Sequence, residues 1–170
     1  LRPEKGRGHA LRLVREVLSA PAAGGPTDLM AVLRQANRAI RGRSVLFLVS
    51  DFLCLLHGER EACIDELSLL SRTHDVIAVR VVDPLEEELP PAGLVRLAPI
   101  AGGAERELDA SAESVRARWR DEATERREAI EELLGSARVD LFSIPTVGDL
   151  GEPVQEFFRR RQGRWGGRTC

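Results

Sequence analysis

The sequence predicts an α/β fold: a partial doubly wound, Rossmann-like parallel sheet with flanking helices and a small inserted hairpin. Three observations carry this. Two short, almost wholly apolar runs, 44–50 and 75–83, have the length and composition of buried parallel strands, and helical spacing separates them. A third apolar run, 139–144, follows a long helical pattern. Strands alternating with helices fold as a parallel sheet with right-handed crossovers. Three strands are few for a doubly wound sheet and the chain opens on a helix, so it reads as the second half of such a domain.

The elements follow in order. Over 9–19, Leu11, Val14 and Leu18 recur at helical spacing until the breaker-rich Pro21-Ala-Ala-Gly-Gly-Pro26. A second helix is expected over 27–40, with Leu29, Val32, Leu33, Ala36 and Ile40 as its apolar stripe and Thr27 as its cap. Residues 44–50 then read as a strand covered on both faces. A helix carrying Cys63, Leu67 and Leu70 leads to the second strand. Residues 94–98 and 105–109 flank Gly102-Gly103 as a hairpin. A long helix over 111–134, with Val115, Trp119, Ala123, Ile130 and Leu133 inward, should stop at Gly135 before the third strand. The last helix carries Val154, Phe157 and Phe158 and ends in Arg159-Arg-Arg161, giving a domain of 1–161 and a flexible basic tail of 162–170.

Composition narrows the function classes. The 170 residues are 43% hydrophobic and 31% charged, as in ordinary globular domains. Lysine plus arginine total 25 against 27 acidic residues, and a net charge of −2 gives no field that implies nucleic acid. Three cysteines without paired spacing suggest neither a disulfide framework nor a zinc knuckle, and fit a reducing, cytoplasmic compartment. No apolar run approaches the ~20 residues that span a bilayer, so a membrane would be met only through segments preceding these.

Ligands of open α/β sheets sit outside the carboxyl ends of the strands, which directs attention to Asp51, Asp83 and residues 145–149. Asp51 and Asp83, with Thr27 at a helix start on the same edge, are oxygen donors suited to a hard divalent cation. Each has a plainer role as well: Thr27 as an N-cap, Asp51 as a carboxylate satisfied by loop amides, Asp83 before Pro84 as a turn initiator. Ser50 lacks a nucleophile elbow, and His9, His57 and His74 are scattered, so a hydrolase triad is not expected. No phosphate-binding glycine motif follows a strand. The run Glu86-Glu-Glu88 reads as a solvated loop face, and the arginines near Trp165 as a solubilising tail.

Taken in order, Gly25-Pro-Thr-Asp-Leu29, Leu48-Val-Ser-Asp-Phe52, His74-Asp-Val-Ile-Ala-Val-Arg-Val-Val-Asp-Pro84, Glu88-Leu-Pro-Pro-Ala-Gly-Leu94 and Phe157-Phe-Arg-Arg-Arg161 resemble the C-terminal half of the bacterial domain of unknown function 58 family. The resemblance implies a von Willebrand factor A-like (vWA-like) domain with no established catalytic activity and a MoxR-type AAA+ ATPase as partner. It also implies a metal-ion-dependent adhesion site for Mg²⁺, on which Thr27 falls at the loop threonine and Asp51 at the later aspartate. The Asp-x-Ser-x-Ser motif of such sites is absent from these residues, and the turn 99–103 lacks the acidic residues expected of relatives. The expectation is therefore a non-catalytic interaction module with an incomplete adhesion site. Mg²⁺ would bind in a full-length protein and weakly or not at all in this chain. The alternatives are a metal-dependent hydrolase or phosphoryl-transfer enzyme using Asp51 and Asp83, with Asp149 as the further carboxylate, and a truncated chain that self-associates through an open sheet edge.

Overall fold

A computed structural model describes residues 5–21, 28–58, 60–98 and 104–165. It contains helices α1 (Arg7–Ser19), α2 (Leu29–Ala39), α3 (Arg60–Thr73), α4 (Pro84–Glu87), α5 (Glu113–Ser136) and α6 (Gly151–Trp165). The strands are β1 (Val45–Ser50), β2 (Asp75–Val82), β3 (Leu94–Leu97), β4 (Arg106–Asp109) and β5 (Asp140–Pro145). Strands β1, β2 and β5 form a parallel sheet in the order β1-β2-β5, and β3 and β4 pair as an antiparallel hairpin. This is the predicted class, down to the inserted hairpin.

The period-two alternation of β2 divides its side chains between two layers. Val76 and Ala78 face a core built from Leu33 of α2, Leu67 and Leu70 of α3, and Ile130 and Leu134 of α5. Ile77 and Val79 face the smaller layer of α6, where the Phe157 ring stacks on Phe142 at 4.4 Å. Fully burying one such aliphatic side chain contributes roughly 1.5–3 kcal/mol. The helices are also tied by polar contacts: Asn37 Nδ2 donates to Glu66 Oε2 at 2.6 Å, joining α2 to α3, and Ser71 Oγ donates to the Ala137 carbonyl at 2.7 Å.

Several expectations need correcting. β1 is not covered on both faces: Val45, Phe47 and Val49 are each more than half exposed, and the Phe158 ring lies 6.4 Å from that of Phe47. An apolar run identifies a strand but not how far the neighbouring helix reaches, and α6 packs on β5 and β2. Helix α1 forms where expected, yet its stripe of Leu11, Val14 and Leu18 is exposed and none of its residues is buried. The cap of α2 is Asp28, whose Oδ1 accepts from the Ala31 amide at 2.8 Å; Thr27 lies outside the described residues. Helix α6 runs past Arg161 to Trp165, and the rest of the tail lies outside the described residues.

Arg161 is not part of a solvated basic run. It is 13% exposed and crosses the amino ends of β2 and β5, with Nη2 at 2.6 Å from Asp75 and Nε at 3.2 Å from Asp140, over the Phe157 ring. It anchors α6 to the two strands that α6 covers.

Helix α5 passes through Gly135 and ends one residue later, at Ser136, with Ala137 as its C-cap. Arg138 takes the left-handed conformation, φ 58°, and donates its amide to Gly135, while the Val139 amide donates to Leu134. This is a Schellman cap with arginine at the position that favours glycine, which has no Cβ to clash there. Arg138→Gly should therefore stabilise the fold by about 0.5–1 kcal/mol, read as a raised midpoint in urea denaturation; an unchanged or lowered midpoint would contradict the strain argument.

Candidate functional site at the carboxyl edge of the sheet

The strands deliver their carboxyl ends to one edge, where Ser50, Arg80 and Ser143 sit in one row by register. Beyond that row the chain turns at Asp51, Asp83 and Asp149, and each aspartate serves the turn that follows it. Asp51 Oδ1 accepts from the Leu53 amide at 3.1 Å, Asp83 Oδ1 from Leu85 at 2.9 Å, and Asp149 Oδ1 from Gly151 at 2.7 Å. An aspartate that accepts from the amide two residues on pre-forms a turn, and here Asp51 leads into a single 3-10 turn, Leu53–Leu56, and Asp83 and Asp149 into α4 and α6. Asp51 also accepts from Ser50 Oγ at 3.3 Å, while Phe52, in the left-handed region at φ 60°, is fully buried beneath them.

Of the two expected metal ligands, the structure places Asp51, exposed at the end of β1, while Thr27 lies outside the described residues. Among the described residues no group of three or more His, Cys, Asp or Glu side chains is arranged to hold a metal ion. Mg²⁺ prefers six oxygen ligands, and Asp51 supplies a carboxylate with one oxygen already committed to its turn. Ser50 and His74 lie at opposite ends of the sheet, since His74 immediately precedes β2 and Ser50 ends β1.

Two residues at this edge escaped the sequence reading. Arg80 is 6% exposed; its Nη2 donates to Glu87 at 2.9 Å, and its buried Nε has no partner among the described residues. Its signal was available, since it is the one charged residue inside the apolar run 76–82. Glu86 is the second. Burial pushes its carboxyl above the ordinary 4.5, the carboxylates of Asp51 and Asp83 push the same way, and Arg126 and Arg80 pull partly back. The acidic run thus sits on a short helix rather than a loop, with Glu86 and Glu88 exposed as expected and Glu87 half-buried. Glu87, on α4, pairs with Arg80 and Arg127, and Glu88, the C-cap of α4, pairs with Arg120 on α5.

These features define an α/β sheet domain with a carboxylate-bearing edge. The chain belongs to the family described as "Protein of unknown function DUF58", whose model matches residues 1–129. It is 28% identical over 166 residues to an uncharacterized protein of Mycobacterium avium, covering 96% of this chain and 95% of that one. It is also 28% identical over 165 residues to uncharacterized proteins of Mycobacterium bovis and Mycobacterium tuberculosis, covering 95% of this chain but 50% of each relative. The chain therefore spans nearly all of one relative and about half of the others. No solved structure matches it significantly. Among the described residues no helix is long and apolar enough to cross a membrane.

The raised carboxyl of Glu86 makes a pH prediction. Because its folded-state proton affinity exceeds that of the unfolded chain, it favours folding at pH below about 4.5, and that contribution is lost as pH rises through the folded value. Glu86→Gln should gain stability over the wild type between pH 4 and pH 7 in urea titrations, and Asp51→Asn should shrink the gain. A difference that does not vary with pH would show that Glu86 titrates normally.

Proposed function

We propose that the chain is a non-catalytic, vWA-like protein–protein interaction module that works with a MoxR-type AAA+ ATPase in the cytoplasm. The observation that carries this reading is the use made of the strand-end aspartates. Asp51, Asp83 and Asp149 each hold a turn by accepting a backbone amide, which makes the edge a rigid rim of fixed charge. A rigid rim of fixed charge suits recognition, in which complementary potentials set specificity and association rate. Family membership is consistent with the reading but carries no activity of its own.

Under this proposal Thr27 and Asp51 hold two of the five positions of a metal-ion-dependent adhesion site. Two protein oxygens hold Mg²⁺ weakly, because the ion gives up its waters reluctantly. Calorimetric titration of Mg²⁺ into the chain should give a dissociation constant in the millimolar range or no heat; a micromolar site removed by Asp51→Asn would overturn the incomplete-site reading.

A second reading, a metal-dependent hydrolase or phosphoryl-transfer enzyme, draws on the perturbed carboxyl of Glu86 beside Asp51 and Asp83, since shifted carboxyls cluster at catalytic sites. It would take precedence if the protein hydrolysed a phosphoester and Asp51→Asn abolished the activity. The interaction module predicts instead that the tagged protein retains a purified MoxR-type ATPase in a pull-down, with retention examined with and without Mg²⁺. Failure to retain it in either condition would sink the partnership.

A further inference from the structure

A cleft of about 880 Å³ opens between the hairpin and helix α5, beside the acidic end of the sheet. Its walls are apolar: Leu85 and Leu89 around α4, Val95, Leu97 and Leu108 from the hairpin, and Trp119 from α5. The walls are held from behind. Arg116 donates Nη1 to the carbonyls of Ala110 and Ser111 at 2.6 and 2.8 Å, fixing the hairpin's return to α5, and Trp119 Nε1 donates to the Leu85 carbonyl at 3.1 Å. The indole is thus hydrogen-bonded, and Arg126 lies 5.9 Å from the ring centroid. The volume lies within the ~300–1,000 Å³ of small ligand sites, and an apolar cleft with a few charged groups at its margin is how a binding groove is built.

The charges on the cleft are unevenly placed. Arg118 and Glu122 pair with each other at 3.6 Å, so they offer little to an occupant. Asp83 and Glu86 line the cleft where it meets the sheet edge, and the field of Asp51 reaches Glu86 there. Arg126 uses Nη2 on the Glu86 carbonyl, and Arg80 uses Nη2 on Glu87, so these hydrogen bonds of both nearby arginines go elsewhere than the Glu86 carboxylate. A carboxylate pressed by neighbouring carboxylates is relieved by an added cation. Arg106, from the hairpin, makes no ion pair among the described residues and gives the cleft an opposite pole.

We infer that this cleft is a docking groove for a segment of a partner protein that inserts apolar side chains between the hairpin and α5 and sets an arginine or lysine against Asp83 and Glu86. The inference rests on the interaction-module reading and adds the surface and the partner's chemistry to it. Charge complementarity selects the occupant: a purely apolar segment would leave the carboxylates uncompensated, and an acidic one would be repelled by them.

The test is selection of a phage-displayed random dodecapeptide library on the full chain, followed by affinity measurement with synthetic versions of the selected peptides. Selected peptides should combine apolar residues with arginine or lysine, and bind about tenfold or more weakly to Glu86→Arg and to Leu97→Asp. Glu86→Arg is a surface charge swap and should instead select acidic peptides, which keeps the test decisive if Leu97→Asp disturbs the hairpin. Absence of binders, enrichment of acidic peptides on the wild type, or affinities indifferent to both variants would overturn the inference. So would a concentration-dependent dimer in light scattering that Glu86→Arg dissolves, because the occupant would then be a second copy, through the basic, exposed α1. The two readings fail separately: an ATPase retained equally by wild type and variants would refute the groove and leave the module, whereas cleft-dependent peptides without ATPase retention would do the reverse.

Discussion

The arrangement depends on β2 being buried on both faces and paired on both edges. Eight residues, Asp75–Val82, bond to β1 on one side and β5 on the other, while alternate side chains enter the two helical layers. A strand in that position cannot slip by one residue without exchanging its two apolar sets and carrying Arg80 into the opposite layer. Register is therefore fixed from within, and both edges of the sheet inherit it. At the amino edge it brings Asp75 and Asp140 together under Arg161; at the carboxyl edge it aligns Ser50, Arg80 and Ser143.

The two ends of β2 manage charge differently. At the amino end Arg161 bridges two carboxylates that remain partly solvated, and both Nη2 and Nε find a partner. The carboxyl end is less fully paired. Arg80 is buried with one carboxylate partner and an Nε that has no partner among the described residues, and Asp51 and Asp83 lie close enough to Glu86 to raise its carboxyl against the pull of Arg80 and Arg126. Burying a guanidinium is costly unless its donors are met, so a residue of this kind persists where something beyond packing keeps it. The unspent negative charge at this edge follows directly, and it is where the domain has charge to offer a partner.

Much of the fold was legible because period and composition are local. The strands at 45–50 and 75–82, the hairpin and the long helix all come from spacing and turn residues that a single sequence displays. What was not legible depends on neighbours distant in sequence. Nothing within 44–50 says that Val45, Phe47 and Val49 lack a covering layer, and nothing at Gly135 reveals that the left-handed residue closing the helix is Arg138, where the turn into β5 must fall. The site divides the same way. Asp51 and Asp83 were found from their place after apolar runs, but the charged neighbours of Glu86 were not, because they come from α4 folding back toward α5.

The exposed face of β1 and the cleft under the hairpin are both apolar, yet they differ in what they can select. The face of Val45, Phe47 and Val49 is a flat apolar wall on an edge strand, and such a surface accepts any complementary apolar layer. The cleft is concave, framed by a hydrogen-bonded indole, and charged at its sheet end. Apolar burial supplies affinity at either place, whereas discrimination needs groups that penalise the wrong occupant. Only the cleft has them in Asp83 and Glu86, and it has them because β2 delivers Asp83 to that edge, where Asp83 caps the short helix that carries Glu86. The constraint that orders the sheet thus also decides which of these two apolar surfaces is specific.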